Sequence, residues 1–208
     1  MSATPRPLIS LTIAWILGLA VSGWTPFDRT TLVLEIFQFV VALPLMWATW
    51  KRLPLTTVLY WLITVHGVIL MVGSAYTYAK VPLGFWMQDW FGFTRNHYDR
   101  IGHFAQGFVP AILARELLIR VWAIPSKKLI AFLSVCICLA FSALYELIEW
   151  WSALIVGQGA NEFLDTQGDI WDTQADMFFA LVGAITAVVL LRRVHDWQIT
   201  IVNEFTSA

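Results

Sequence analysis

Apolar residues along this chain gather into long runs instead of the spaced stripes of a surface helix. A helix that crosses a bilayer needs about 20 mostly apolar residues. Six stretches meet that need: about Pro7 to Trp24, Thr31 to Trp50, Leu55 to Tyr76, Ile101 to Trp122, Leu129 to Trp151 and Gln174 to Leu191. Between the third and fourth lies a mixed segment, Val81 to Arg100, with aromatics at Phe85, Trp86, Trp90, Phe91, Phe93 and Tyr98. Its end is too polar to span, so it is expected as an interfacial loop or a short surface helix. Arg6 ahead of the first run resembles a secretory signal, with Ala20-Val21-Ser22 as a cleavage site. The run is long for a signal, so a retained span is expected. Pro44 and Pro110 fall inside the second and fourth spans and are expected to kink them.

This pattern predicts an all-α polytopic membrane protein, a bundle of about six transmembrane helices forming a single transmembrane domain over residues 1–208. No internal repeat divides it. Composition agrees. The chain is 59% hydrophobic and 13% charged, with a mean hydropathy of +0.69, so lipid must cover much of a surface that water would otherwise meet. The 12 Trp suit aromatic belts at the two interfaces. A net charge of -1 gives no reason to expect nucleic acid as a partner. Cys136 and Cys138 are two residues apart and point in different directions on a helix, so two buried thiols are expected, not a disulfide or a metal pair.

Lysine and arginine set orientation. With the N-terminus inside, the inner segments hold eight basic residues: Arg6, Lys51, Arg52, Arg120, Lys127, Lys128, Arg192 and Arg193. The outer segments hold four, Arg29, Lys80, Arg95 and Arg100, and Arg115 lies within the fourth span. Gly157 to Asp172 has acids and no base, which fits an outer loop. Both termini are therefore expected in the cytoplasm.

Ionisable groups within spans are expensive and mark functional sites by default. The orientation gives several of them one depth. Asp99, His103 and Gln106, spaced four and three, share a face in the outermost turns of the fourth span. Glu146 and Glu149 lie near the outer end of the fifth. Glu146 is 18 residues beyond Lys128, or about 27 Å of helix across a core about 30 Å thick. Asp169, Asp172 and Asp176 share a face if the sixth helix has begun there, and Asp165 continues the stripe backward. Glu35 and Gln38 lie near the outer end of the second span. Against this convergence stands a plainer account. Acids at a wet helix end can simply be solvated, and near a helix N-terminus they complement the macrodipole. That covers Asp99 and Asp169 to Asp176, but not Glu146 and Glu149 at a C-terminal end.

Other polar residues carry less. His66, mid-span beside Gly67, is expected to bond a neighbouring helix. Asn96 and His97 either line the outer site or face water. Glu116 and Arg120 are expected to form a surface pair, and His195 to be a solvated cytoplasmic residue.

The candidate catalytic residues are His103, Asp99, Glu146 and Glu149; the candidate metal ligands are His103, Glu146, Glu149, Asp169, Asp172 and Asp176. Carboxylates with one imidazole suit a divalent ion such as Mg, Mn, Ca or Zn, which can polarise a phosphoryl or acyl oxygen or activate water. Without a metal, His103 could act as general base, oriented by Asp99. A site at the outer lipid boundary favours an amphiphilic envelope substrate, with membrane lipid as the obligatory partner. The same carboxylates could relay protons or bind cations in a small transporter, although no inverted repeat or pair of broken helices is visible. A scaffold docking through Val81 to Phe93 is a third reading.

The strings YDRIGHFAQGF (98–108), YELIEWW (145–151) and FLDTQGDIWDTQADM (163–177) resemble the YjdF-like family of bacterial inner-membrane proteins across nearly the whole chain. The resemblance implies a multi-span fold in a bacterial inner membrane and implies no reaction. A more distant likeness is to the VanZ-like family, whose Asp-basic-x-x-His motif is matched by Asp99, Arg100 and His103. Its later glutamate is matched by Glu146 or Glu149, and its final Asp and Gly by Asp176 and Gly183. That family has Asn after its last Asp, where Phe179 and Ala180 stand here. The likeness implies an association with the cell envelope or with glycopeptide tolerance.

Overall fold

A computed structural model describes residues 5–156 and 166–206. Seven helices follow one another among the described residues: α1 (Arg6–Ser22), α2 (Arg29–Thr49), α3 (Thr57–Tyr76), α4 (Pro82–Phe91), α5 (Tyr98–Arg120), α6 (Lys127–Val156) and α7 (Asp172–Thr206). By length and composition, α2, α3, α6 and α7 suffice to cross a membrane, and α1 is a shorter apolar helix. The short α4 occupies the aromatic segment that was expected at an interface. The chain is a polytopic helical membrane protein.

The fourth predicted span, α5, is less apolar than its neighbours because it carries Asp99, Arg100, His103, Arg115 and Glu116. Each of these is buried. The helix sits at the centre, packed on α3, α6 and α7, so protein and not lipid surrounds its polar side chains. It runs parallel to α7 and antiparallel to α3 and α6. Bundle helices in lipid gain little from the hydrophobic effect and depend on close packing. The closest approach is between α5 and α7. A Cβ on Gly107 would strike the backbone of Ala180, and one on Gly183 would strike the backbone of Phe104. Leu59, Val109, Ala111, Ile112, Cys138 and Ala184 form the core around this contact. A second core of Leu8, Leu11, Trp15, Phe39, Tyr60 and Met71 joins α1, α2 and α3. Large apolar side chains such as Ile13, Phe37, Phe132, Phe141 and Leu190 face outward, as lipid contact requires.

Local signals set the ends. Asp28 caps α2 by accepting from the Thr31 N–H at 2.6 Å. That backbone bond, before all else, holds the Asp28 carboxyl below the usual carboxylate range. Thr56 stands at the N-cap of α3 without capping it, because its hydroxyl donates to Glu116 at 2.7 Å. Pro44 and Pro110 lie inside α2 and α5 as expected. Cys136 is exposed and Cys138 buried, both as free thiols.

Two expectations are corrected at the end of the bundle where α5 finishes. Glu116 is 0% exposed and accepts from Arg120 at 2.6 Å, so the pair is interior. His195 is also 0% exposed. Its Nε2 lies 2.9 Å from Glu116 and its Nδ1 2.7 Å from Arg115. Arg115 also binds Asp196. The reason is the length of α7. It does not stop near Leu191 but runs for 35 residues, about 52 Å, and carries His195 back against α5.

Candidate functional site

At the opposite end, α5, α6 and α7 bring polar side chains to one level. His103 is the hub. Its Nε2 lies 3.3 Å from Asp99 Oδ1 and 3.5 Å from Asp176 Oδ1. Its Nδ1 lies 2.8 Å from the Gln106 side-chain oxygen and 3.9 Å from Glu146 Oε1. The four-residue spacing of Asp99 and His103 puts them on one face of α5, and the parallel α7 supplies Asp176. An amide oxygen only accepts, so the Gln106 contact places a proton on Nδ1. Nε2 then faces two carboxylates.

This geometry fits a metal. Ligand atoms of Asp99, His103 and Asp176 all lie within 4.8 Å of one another. Ligands about 2.0 Å from a tetrahedral ion are separated by roughly 3.3 Å, close to the two spacings seen. A bonded partner on the far nitrogen of a ligating histidine is the usual outer support, and Gln106 provides it. Asp176 also accepts from Arg100, which leaves lone pairs on the carboxylate for a second cation.

A cavity of about 40 Å³ opens beside the hub, lined by Glu35, Gln38, His66, His103, Tyr145 and Glu149 among others. It has room for an ion with a little water. Glu35 closes one wall, accepting from the hydroxyls of Tyr78 and Tyr145, each at 3.0 Å. Glu149 is half-buried in this wall. Glu146 is buried, and its Oε1 has no hydrogen-bond partner among the described residues.

Asp169 and Asp172 stand outside the group of three. Arg95 reaches Asp172 at 2.7 Å and Asp169 at 3.3 Å. Arg100 reaches Asp172 at 2.5 Å and Asp169 at 3.3 Å. The acids of this stripe are therefore gathered by two arginines, not by helix periodicity, since α7 begins only at Asp172 and Asp169 sits in the turn before it. The Trp171 N–H, and then the two arginines, hold the Asp169 carboxyl low. Asp165, expected to extend the stripe, and residues 157–165 of the expected outer loop lie outside the described residues.

His97 stacks edge-on against Phe93 at 4.6 Å. Burial, and then Arg95 and Arg100, push its pKa down. Asn96 is buried and bonds Val81 and Tyr98, so it is a structural residue. The Nε2 of His66 finds no partner helix: it is buried without a hydrogen bond among the described residues.

Sequence reasoning missed the roles of Arg95, Arg100, Tyr78 and Tyr145. In the sequence the arginines count only as topological charges, although Arg100 lies three residues before His103. Tyr145 lies four before Glu149, on the same face, and that spacing could have found it. Tyr78 follows the left-handed end of α3 at Thr77, and no periodicity points to it.

The profile of a family described as "Predicted membrane protein (DUF2238)" matches residues 7–197. The chain is 52% identical over 201 residues to "Inner membrane protein YjdF" of Escherichia coli (strain K12), covering 96% of each chain. No solved structure matches. The likeness to the VanZ-like family gains no support from these matches.

Proposed function

This chain belongs to the DUF2238 family of membrane proteins, and we propose that it acts on an amphiphilic envelope substrate, such as a lipid, at a divalent-cation site on the outward side of the inner membrane. One observation carries the reading. A histidine with its Nδ1 bonded by Gln106 presents Nε2 to two buried carboxylates at ligand spacing. Buried charges of one sign need a compensating cation. Arg95 and Arg100 bring two positive charges to five acids, Asp99, Glu146, Asp169, Asp172 and Asp176, and His103 adds at most one more.

In this reading Asp99, His103 and Asp176 hold the ion, and Gln106 fixes the imidazole tautomer. A divalent ion there would polarise a phosphoryl or acyl oxygen and lower the pKa of a bound water. Glu146, with an unbonded oxygen 3.9 Å from the His103 ring, is placed to take or return a proton. Glu149 and the Tyr78–Glu35–Tyr145 group shape the wall that a headgroup would meet. The outward placement rests on the eight-to-four excess of basic residues in the segments at the other face. Impermeant cysteine labelling in intact cells should reach the turn at Gln167 and not Lys51, Lys127 or the C-terminus; the reverse would overturn the orientation.

The test of the cation is thermal. An ion that binds only the folded bundle stabilises it by about 2.7 kcal/mol at a hundred times its Kd. The melting temperature of detergent-solubilised protein should rise with Mg, Mn, Ca or Zn and fall with chelator. His103→Ala and Asp176→Asn should remove most of that response. A melting temperature indifferent to every ion and to chelator, yet dependent on pH, would sink the metal reading and put proton-coupled transport in its place.

A further inference from the structure

Two apolar stripes face each other across an unfilled space. Phe39, Ala42 and Met46 recur every three or four residues on α2, and Val109, Leu113 and Leu117 every four on α5. α2 packs on α1 and α3, and between it and α5 lies a groove of about 320 Å³. Ala42, Met46, Leu113 and Leu117 line it without being buried. Leu45 at its edge is 59% exposed, so the groove opens sideways to the membrane. Trp15 and Phe39 close it near mid-span, their rings edge-to-face at 4.8 Å. They pack over Gly67, where a Cβ would strike Trp15 and crowd Phe39. The other end reaches Thr49 and Leu53. The turn between those two carries Lys51 and Arg52, both exposed, and neither meets an acid among the described residues. We propose that the groove binds an anionic phospholipid of the leaflet on that side, with one acyl chain in the groove and the phosphate outside it at Lys51 and Arg52.

Three features point to that occupant. The first is depth. From Thr49 at the mouth to Phe39 at the closed end, α2 rises about 15 Å. That is half of a hydrocarbon core about 30 Å thick, so the groove takes a chain from the membrane surface to the midplane. The second is width. A space of about 320 Å³ spread over about 15 Å has a mean cross-section of roughly 21 Å². One hydrocarbon chain suits it; a helix of a second copy, about 10 Å across, does not. The third is charge. Arg120, three residues beyond Leu117, is already held by Glu116 and the Pro54 carbonyl. Lys51 and Arg52 are therefore the cations left at the mouth, and basic residues at a membrane surface attract anionic headgroups.

This site is separate from the one at His103 and requires neither its metal nor its substrate. The test uses the full chain in nanodiscs holding a small fraction of phosphatidylglycerol or phosphatidylcholine with a diazirine midway along one chain. Phosphatidylglycerol should label Met46, Leu113 and Leu117 more strongly than phosphatidylcholine does, while the two lipids label the outward-facing Phe132 and Phe141 of α6 alike. Replacing Lys51→Ala and Arg52→Ala together leaves the bundle untouched. It should lower groove labelling by phosphatidylglycerol by about thirtyfold, to the level of phosphatidylcholine. Leu113→Trp fills the groove and should abolish labelling of Met46 and Leu117 by either lipid, with Phe132 and Phe141 unchanged. Equal labelling of the groove by the two lipids in the unaltered protein overturns the proposal. So does groove labelling that survives loss of both basic residues, and so does a groove that neither lipid labels, which would mean a protein occupant.

Discussion

Glu116 of α5 and His195 of α7 meet at 2.9 Å, each with no exposed surface, at the end of the bundle remote from His103. Arg115, Arg120 and the Thr56 hydroxyl complete the group. Breaking a buried charge network by removing one member leaves the others uncompensated and costs about 3–5 kcal/mol. Glu116→Ala should therefore lower stability by about that amount in a denaturant titration of solubilised protein. Glu116→Gln, which keeps an acceptor for Thr56, should cost less. An unchanged midpoint in Glu116→Ala would mean that water enters this end freely.

Arg100 holds three acids of α7 and its preceding turn against α5. Arg100→Ala should destabilise the bundle by about 3–5 kcal/mol, because Asp172 and Asp176 stay buried without it. Arg100→Lys keeps the charge but loses the fork that serves several carboxylates at once, and should fall between. Added divalent cation should partly rescue the alanine variant, since a cation can replace the missing charge. Identical melting curves for wild type and Arg100→Ala would remove this arginine from the account.

Two glycines of α5 should respond in opposite ways. A Cβ on Gly107 would meet the Ala180 backbone, which cannot swing aside. Gly107→Ala should separate α5 from α7 at a cost of about 1–3 kcal/mol. A Cβ on Gly102 would meet only the Tyr78 ring, at 3.4 Å, an ordinary contact. Gly102→Ala should be neutral or gain about 0.5–1 kcal/mol from helix propensity. Equal melting temperatures for the two variants would contradict the close approach.

Asp28 caps α2, and Asp28→Ala should cost about 1 kcal/mol at neutral pH. The sign with pH follows from its depressed pKa. The contribution is complete above the unfolded value, about 3.9, and is lost as pH falls through the lower folded value. The stabilities of wild type and Asp28→Ala should therefore converge as pH falls below the unfolded carboxylate value and through the lower folded one. A gap that persists there would mean that the lost contact is not the charged cap.

The spans, the helical class and the common level of the acids were legible because each depends on neighbours in sequence. Runs of about 20 apolar residues, three- and four-residue spacings and lysine–arginine bias are local properties. Asp99, His103, Glu146 and Asp176 were found by such spacings. What tertiary structure alone decided is which charge compensates which. Arg95 and Arg100 looked like loop charges until the fold set them against Asp169, Asp172 and Asp176. Glu116 and His195 looked solvated because each lies near a span end, yet α7 runs on to Thr206 and buries both. A buried ion pair depends on distances between helices 70 or 80 residues apart in the chain, and no local pattern records them. The polar α5 shows the same limit. Its composition argues against lipid, and only its central place among α3, α6 and α7 explains how the bundle tolerates it.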